Sequence, residues 1–309
     1  MVVIEYPMTF TQFTNQFATE EQCRNYLYKL RFPEGYICPK CSCKKSWLRK
    51  NDLYECVECK HGTSVTAGTM FHDTRKPLKD WFVAIWWVTT QKYGASAQGL
   101  QQILGLKSYQ TAWTWLHKIR AVMVSPQRIK LSGVVEVDET YIGGDEIGGK
   151  RGRGAGNKVL VCVAVELKGK KPGRARISLI ADASKESLHG FICTNIATGS
   201  KLITDDWSGY HGIESSGYDR EVHVQSKSKS DDELLPHVHL VVSLVKRWLL
   251  GTHQGAVEKK HLQAYLDEYV FRFNRRTSAK RGLLFYRLLE NAMTVSPTTY
   301  RQFVDKSEP

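Results

Sequence analysis

The chain has 309 residues, of which 42% are hydrophobic and 24% charged, a composition that excludes a largely disordered protein and is long enough for two or three domains. Its formal net charge of +13 favours a polyanionic partner such as nucleic acid, because each neutralised phosphate releases condensed counterions. An anionic membrane is the alternative, but no apolar run reaches the roughly 18 residues of a spanning helix. The N-terminus also lacks the basic flank and cleavage site of a signal peptide, so we expect a cytoplasmic protein without a membrane partner.

Five of the eight cysteines crowd between Cys38 and Cys59. Two C-x-x-C pairs, Cys38 with Cys41 and Cys56 with Cys59, are separated by 14 residues. Four thiolates at this spacing can bind one Zn²⁺ tetrahedrally, and the metal replaces a core that so small a module cannot build. Free cysteines or a redox pair are the alternative. The spacing predicts structural zinc, whose closed coordination leaves no open position for catalysis.

The segment between the two cysteine pairs is basic and aromatic. The side chains in it that suit contact with a DNA backbone are Lys44, Lys45, Trp47, Arg49, Lys50 and Tyr54. Zinc ribbons also serve as protein docking modules, and both interpretations remain open. Cys43 has the wrong spacing to join the zinc site. Because a short helix precedes the cysteines, residues 1–70 are predicted to form an N-terminal helix and zinc ribbon.

Residues 77–125 are predicted to be helical. Apolar residues recur at helical spacing in PLKDWFVAIWWVTTQKYG, and two further helices, SAQGLQQILGL and SYQTAWTWLHKIRAVM, are separated by a short break that contains Gly105. Two helices joined in this way indicate a helix-turn-helix that binds DNA or a helical hairpin that only packs. The basic side chains that favour DNA are Lys107, His117, Lys118 and Arg120.

From residue 133 the sequence changes to β-rich runs. The runs VVEVDETYIG, KVLVCVAVEL and ARISLIAD are predicted strands; they are followed by a helix, a further strand, KLITDD, and terminal helices. This order predicts an α/β or α+β domain. Residues 149–176 hold nine basic residues and one acidic residue. They indicate either a solvated hairpin tip or a loop that grips phosphates.

Two carboxylates lie where strands could bring them together. Asp138 is in the middle of an apolar strand, where alternation puts it on one face with Glu136 and Thr140. Asp205 ends the later strand, and Asp206 beside it is more typical of a turn. Carboxylates that converge from two strands suit Mg²⁺ in phosphoryl transfer, because this ion prefers oxygen ligands.

Several stretches together resemble a known family. They are CPKC and CVEC, GTMFHDTRKPL, VEVDETYIGG, ITDDWSGY, SLVKRWLLGTH and HLQAYLDEYVFRFNRR. The chain resembles bacterial insertion-sequence transposases of the DDE superfamily, which have an N-terminal zinc ribbon and a ribonuclease H-like catalytic domain. The resemblance implies such a catalytic domain, with a central mixed sheet, over residues 131–290, followed by a C-terminal tail at residues 291–309.

In this family two aspartates and a third residue, usually glutamate, hold two divalent ions, and a Lys or Arg follows seven positions later. The resemblance assigns the aspartates to Asp138 and Asp205 and the basic residue to Lys246. The third position is then His239, which shares a helix face with Lys246 and departs from the usual glutamate. A neutral imidazole can also bind a divalent ion, so Mg²⁺ or Mn²⁺ is the expected catalytic cofactor.

The implied function is a DNA transposase. It would bind the terminal inverted repeats as double-stranded DNA, cleave at the 3′ ends and transfer the strands into target DNA. The residues expected to contact DNA are Lys150, Arg151, Arg153, Lys158, Lys246 and Arg247. Two ends must be cut in concert, which implies a homodimer or a larger assembly. The alternatives are a zinc-dependent DNA-binding regulator, an inactive relative, or a nuclease that cuts without joining.

Overall fold

The structure is a computed structural model in which the chain divides into two compact units. The first unit comprises Met1–Ser125 and Ser278–Ser307, and the second comprises Pro126–Thr277. The residues that the structure describes are 5–91, 93–125, 128–143, 158–224, 234–254 and 257–304.

The described helices, in chain order, are α1 (Phe10–Gln16), α2 (Glu20–Arg31), α3 (Leu78–Thr90), α4 (Ala97–Leu104), α5 (Tyr109–Ala121), α6 (Lys185–Asn195), α7 (Pro236–His253), α8 (Lys259–Phe273), α9 (Arg281–Thr294) and α10 (Tyr300–Val304). The strands are β1 (Ser46–Leu48), β2 (Tyr54–Cys56), β3 (Gly62–Thr63), β4 (Val134–Ile142), β5 (Val159–Lys168), β6 (Lys171–Leu179), β7 (Lys201–Thr204) and β8 (Asp219–Val222). None of the helices in the described ranges is both long and apolar enough to cross a membrane.

The first unit contains the zinc ribbon and helices α1 to α5, α9 and α10, and several of these helices end at local sequence signals. Thr19 and Gln22 form a reciprocal capping box that starts α2. Helix α4 ends at Gly105, whose φ of 59° lies in the left-handed region where glycine is favoured. Helix α5 follows after a short turn and packs on α4. The expected pair of helices is therefore present.

Two basic residues of α5 do not support the DNA-binding interpretation of this pair. His117 and Arg120 are each only 2% exposed, because their side chains face the interior of the first unit. Basic groups that are buried in this way cannot contact a phosphate. Of the four basic residues, Lys107, in the turn before α5, is exposed, and Lys118 is partly buried.

Helix α9 belongs to the first unit, whereas the sequence had suggested a catalytic domain that extends to residue 290. It packs against α2 and α3, and the ring centroid of Phe285 lies 5.4 Å from that of Phe13 and 5.7 Å from that of Phe82. This aromatic packing explains why the boundary between the units lies at Ser278.

The second unit is built on a five-stranded mixed sheet in the order β6-β5-β4-β7-β8. Strand β4 is antiparallel to β5 and parallel to β7. Helices α7 and α8 cover one face, and α6 covers the other. Because both faces are covered, β5 is almost continuously apolar. The expected fold class, α/β with a central mixed sheet, preceded in the chain by a zinc ribbon, is confirmed.

Candidate active site and zinc site

The four predicted zinc ligands come together at one end of the β1-β2-β3 ribbon. The Sγ atoms of Cys38, Cys41, Cys56 and Cys59 all lie within 4.8 Å of one another. Cys38 Sγ is 3.6 Å from Cys59 Sγ, and Cys41 Sγ is 3.4 Å from Cys56 Sγ. Tetrahedral zinc with Zn–S bonds of about 2.3 Å needs sulfurs about 3.8 Å apart, so the donor set fits this ion. The prediction of a structural zinc site is confirmed, and Cys43 lies outside it.

The ribbon surface between the cysteine pairs is only partly available for a partner. Trp47 is 65% exposed, and Lys44, Lys45 and Lys50 are also exposed. Arg49 instead forms an ion pair with Glu55 and donates from Nε to Oε2 at 2.9 Å. Tyr54, which the sequence suggested for DNA contact, is buried, and its ring lies 4.7 Å from that of Tyr28. We therefore remove Tyr54 from the surface that could face DNA.

The predicted alternation along β4 is observed. The Val135 and Val137 side chains pack in the core beside α6. Glu139 also lies on that side and accepts a hydrogen bond of 2.7 Å from the buried Tyr210 hydroxyl. Asp138 and its neighbours at positions 136 and 140 face α7 instead. Because side chains alternate between the two faces of a strand, the carboxylate of Asp138 faces α7.

Helix α7 places two predicted site residues, His239 and Lys246, beside this strand. His239 Nε2 lies 3.3 Å from Asp138 Oδ2. Two helical turns further on, Lys246 Nζ lies 3.5 Å from Thr140 Oγ1. The side chain of His239 is 41% exposed and that of Asp138 is 18% exposed, so the pair lies at the edge of the core and remains open to solvent.

Asp205 directly follows β7, which runs parallel to β4. Its Oδ1 accepts a hydrogen bond of 3.0 Å from the backbone N–H of Trp207. Arg220, in the neighbouring strand β8, donates to Thr204 Oγ1 and to the backbone oxygen of Asp205, both at 2.9 Å. Asp206 is exposed and lies 3.7 Å from His211. The strand end that carries Asp205 is therefore held in place from two sides.

The charges of the two aspartates act on each other. Burial, and then the charge of Asp205, raises the pKa of Asp138, while the nearby His239 opposes this rise. Within the described part of the chain, no Lys or Arg forms an ion pair with either aspartate. Two carboxylates and an imidazole without a compensating cation are a donor set suited to a divalent ion. Among the described residues, the four cysteines form a group of donor atoms close enough to hold a metal ion. Asp138, Asp205 and His239 do not form such a compact group.

Two interactions near this site were not predicted. The first joins Glu136 to His237: His237 Nδ1 lies 2.6 Å from Glu136 Oε1. Arg220, which holds the Asp205 strand end, was not singled out. The one signal for Glu136 in the sequence is its position two residues before Asp138, which puts both on the face that α7 covers.

The residues expected to bind DNA differ in their exposure, and some lie outside the described residues. Lys246 and Arg247 are exposed on α7, and Lys158 is partly buried just before β5. Lys150, Arg151 and Arg153 lie outside the described residues. Two other basic residues of the 149–176 segment have structural roles, which argues against the phosphate-gripping interpretation at these two positions. Arg174 donates to Glu166 at 2.7 Å and 2.9 Å, and Arg176 is only 6% exposed.

Two family models match the chain. One, described as a transposase zinc-ribbon domain, matches residues 18–62, and the other, described as an ISXO2-like transposase domain, matches residues 130–274. Together they cover more than half of the chain. The chain belongs to this transposase family. The catalytic-domain match includes all four positions that the resemblance assigned, namely Asp138, Asp205, His239 and Lys246.

A relative of this family member occurs in Halobacterium salinarum, where it is described as an uncharacterized protein in transposable element ISH50. The two are 26% identical over 286 residues, which cover 83% of this chain and 91% of the relative.

Two solved structures are distantly similar. One is the simian T-cell lymphotropic virus intasome in complex with PP2A regulatory subunit B56 gamma, with 12% identity and a TM-score of 0.32. The match covers 58% of this chain and 65% of the other, slightly less than two thirds of its length. The second is a pre-cleavage Mos1 transpososome, with 11% identity, a TM-score of 0.26, and coverage of 74% of this chain and 82% of the other.

Proposed function

We propose that the chain is a DNA transposase that binds the double-stranded terminal inverted repeats of its element. It cleaves a phosphodiester bond at each 3′ end and transfers the freed strands into target DNA. The observation that carries the proposal is the contact of 3.3 Å between His239 and Asp138, with Lys246 two turns further along the same helix. The matched transposase domain and the relative in a transposable element support it.

Asp138, Asp205 and His239 are the groups proposed to hold Mg²⁺ or Mn²⁺. When bound, such ions supply the Lewis-acid chemistry that phosphodiester cleavage and transfer require. Asp138 and Asp205 provide negative charge from two adjacent strands, and Arg220 holds the backbone on which Asp205 lies. Lys246 is exposed and close to Thr140, so its ammonium group can hold a DNA phosphate beside the carboxylates.

DNA contacts are proposed on the second unit and on the zinc ribbon. The residues proposed to bind phosphates are Lys150, Arg151, Arg153, Lys158, Lys246 and Arg247. Since two element ends must be processed together, we propose that the active form is a homodimer or a larger homo-oligomer.

His239 gives the proposal a sharp test. A neutral imidazole brings no negative charge, so the site should hold Mg²⁺ weakly and favour Mn²⁺, which accepts nitrogen ligands more readily. We expect wild-type cleavage of labelled element ends to be faster in Mn²⁺ than in Mg²⁺. His239→Ala should reduce the rate by about a hundredfold or more, and His239→Glu should remain active with its preference moved toward Mg²⁺.

Leu240→Ala is the matched control, because Leu240 is the exposed neighbour of His239 on α7 and should leave the rate unchanged. Wild-type cleavage by His239→Ala would remove this residue from the site. Binding of the ends without any metal-dependent cleavage would favour a DNA-binding regulator. Cleavage without transfer of a labelled end into a plasmid would favour a nuclease.

A further inference from the structure

Glu136 is a buried carboxylate that receives three hydrogen bonds from the start of α7. Its Oε2 accepts from the backbone N–H groups of His237 and Val238 at 2.8 Å and 2.9 Å. Its Oε1 lies 2.6 Å from His237 Nδ1. The side chain is only 5% exposed. Both oxygens are therefore occupied by donors from one helix end, which lies about a hundred residues away in sequence.

Helix α7 has no cap of its own that could take this role. It begins at Pro236, and the residue before it, Leu235, has no side-chain acceptor for the first N–H groups. The first turn of a helix presents unsatisfied N–H groups and a partial positive charge, which a carboxylate satisfies well. Glu136 thus provides from strand β4 the cap that the helix sequence lacks.

The consequence is that β4 and α7 are joined at three successive places. Glu136 binds the helix start, Asp138 contacts His239, and Thr140 lies near Lys246. From 136 to 140 the strand advances about 13 Å, since each residue rises about 3.3 Å. From 237 to 246 the helix advances about 13.5 Å at about 1.5 Å per residue. The helix start is thus the first of three matched contacts, and any slip there would displace both later ones.

We infer that Glu136 is a positioning residue for the metal site: it fixes the start of α7, so that His239 faces Asp138 and Lys246 faces the same strand. The inference rests on the proposed function, because it concerns the ligand set proposed there. Glu136 itself touches neither the metal nor the DNA, since its oxygens are already bound by the helix.

Glu166 provides a closely matched control. It is a buried carboxylate on the adjacent strand β5, in register with Val135, and it accepts from the backbone N–H of Ser132 at 3.2 Å and from Arg174. Its removal should disturb the fold about as much as removal of Glu136 does. None of its hydrogen-bond partners, however, is on α7.

The test is Mn²⁺ binding by the zinc-loaded full chain without DNA, followed by the electron paramagnetic resonance signal of free Mn²⁺. Glu136→Met removes all acceptors and should weaken Mn²⁺ binding about tenfold, as loss of an outer partner of a metal ligand does. Glu136→Gln should stay within about twofold of wild type. Its carbonyl oxygen can accept from both backbone N–H groups, and its amide can donate to His237 Nδ1 if Nε2 then donates to the Lys170 oxygen, which is 3.3 Å away.

The same titration separates positioning from direct binding. Glu166→Met should bind Mn²⁺ like wild type, and Glu136→Met in a His239→Ala background should add no further loss. Wild-type binding by Glu136→Met would overturn the inference, and so would a loss in Glu136→Gln as large as that in Glu136→Met, because the lost charge would then matter directly. An equal loss in Glu166→Met would also overturn it, since the effect would be general destabilisation.

If Asp138→Asn and His239→Ala both bind Mn²⁺ like wild type, the proposed metal site fails, whatever Glu136 does. If these two lose Mn²⁺ and Glu136→Met does not, only the positioning role fails. Should Glu136→Met not fold in thermal melts, Glu136→Asp takes its place. Its carboxylate is one methylene too short to reach all three donors, and the same loss is expected.

Discussion

Asp138 is a residue whose charge is disfavoured in the folded protein. Burial, and then the charge of Asp205, raises its pKa, and His239 opposes the rise without cancelling it. A carboxyl group with a raised pKa keeps its proton in the folded state at pH values where the unfolded chain has lost it. The free energy of unfolding of the metal-free protein should therefore fall as pH rises from the ordinary aspartate pKa through the raised value. A bound divalent cation would remove this penalty.

Asp138→Asn should therefore stabilise the protein and inactivate it. For the zinc-loaded chain in buffer without Mg²⁺ or Mn²⁺ at pH 7, we expect its melting temperature to exceed that of wild type, because a neutral amide avoids both burial of charge and repulsion by Asp205. Added Mn²⁺ should raise the melting temperature of wild type but not that of the variant. Cleavage of element ends should fall by about a thousandfold or more, as loss of a metal ligand implies.

Asp219→Asn, at an exposed position of β8, is the control for this comparison and should change neither the melting temperature nor cleavage. If Asp138→Asn melts below wild type in that buffer, the Asp138 charge stabilises the fold in the absence of Mg²⁺ and Mn²⁺. That outcome would contradict the electrostatic account of the site.

At the scale of elements, the zinc ribbon depends on its metal more than the five-stranded sheet does on any single group. Strands β1, β2 and β3 have two or three residues each, and Trp47 and Leu48 of β1 are exposed. So few buried side chains cannot offset the conformational entropy of ordering the segment. The ribbon should therefore fold only when its four thiolates hold zinc.

Cys56→Ser should release the zinc and unfold the ribbon without unfolding the second unit. We expect elemental analysis to find about one zinc per chain in wild type and much less in the variant. Hydrogen exchange should lose its protection in residues 46–63 and keep it in β4 and β5. Cys43→Ser is the matched control, because Cys43 lies in the same segment and outside the four-sulfur group. Full zinc content in Cys56→Ser would contradict the assignment of Cys56.

At the scale of the whole molecule, the formal charge of +13 is larger than the positive charge that DNA can contact at the surface. Arg120 and Arg176 are buried, and Arg174 is engaged by Glu166. Lys246 and Arg247 remain exposed on α7. Since binding to phosphates depends on charges at the surface, the exposed subset determines how affinity responds to salt.

We expect the affinity for element ends to fall steeply with salt, with a logarithmic slope of about −0.9 for each phosphate contact. Arg247→Gln should make this slope shallower by about 0.9, the contribution of one phosphate contact. Lys201→Gln should leave the slope unchanged, because Lys201 Nζ lies 2.6 Å from Glu221 in the folded protein. Titrations at several salt concentrations measure these slopes. An affinity that is the same at low and moderate salt would exclude a phosphate-dominated interface.

Local patterns in the sequence determined the parts of this protein that depend on local geometry. The spacing of Cys38, Cys41, Cys56 and Cys59 predicted the zinc site, because two short knuckles are enough to bring four sulfurs around one ion. The period of two along β4 predicted that Asp138 shares a face with Glu136. The run of β-rich segments with later helices predicted the α/β class, and the family resemblance supplied the positions of Asp205, His239 and Lys246.

Only the tertiary structure decided which of these groups meet. Glu136 caps a helix that begins about a hundred residues later, His117 and Arg120 are buried inside the first unit, and α9 belongs to the first unit. Side-chain periodicity states which residues share a face but not which other element covers that face. Contacts between residues distant in sequence depend on how helices and strands pack against each other, because burial and hydrogen bonding are satisfied by the whole fold and not by one segment.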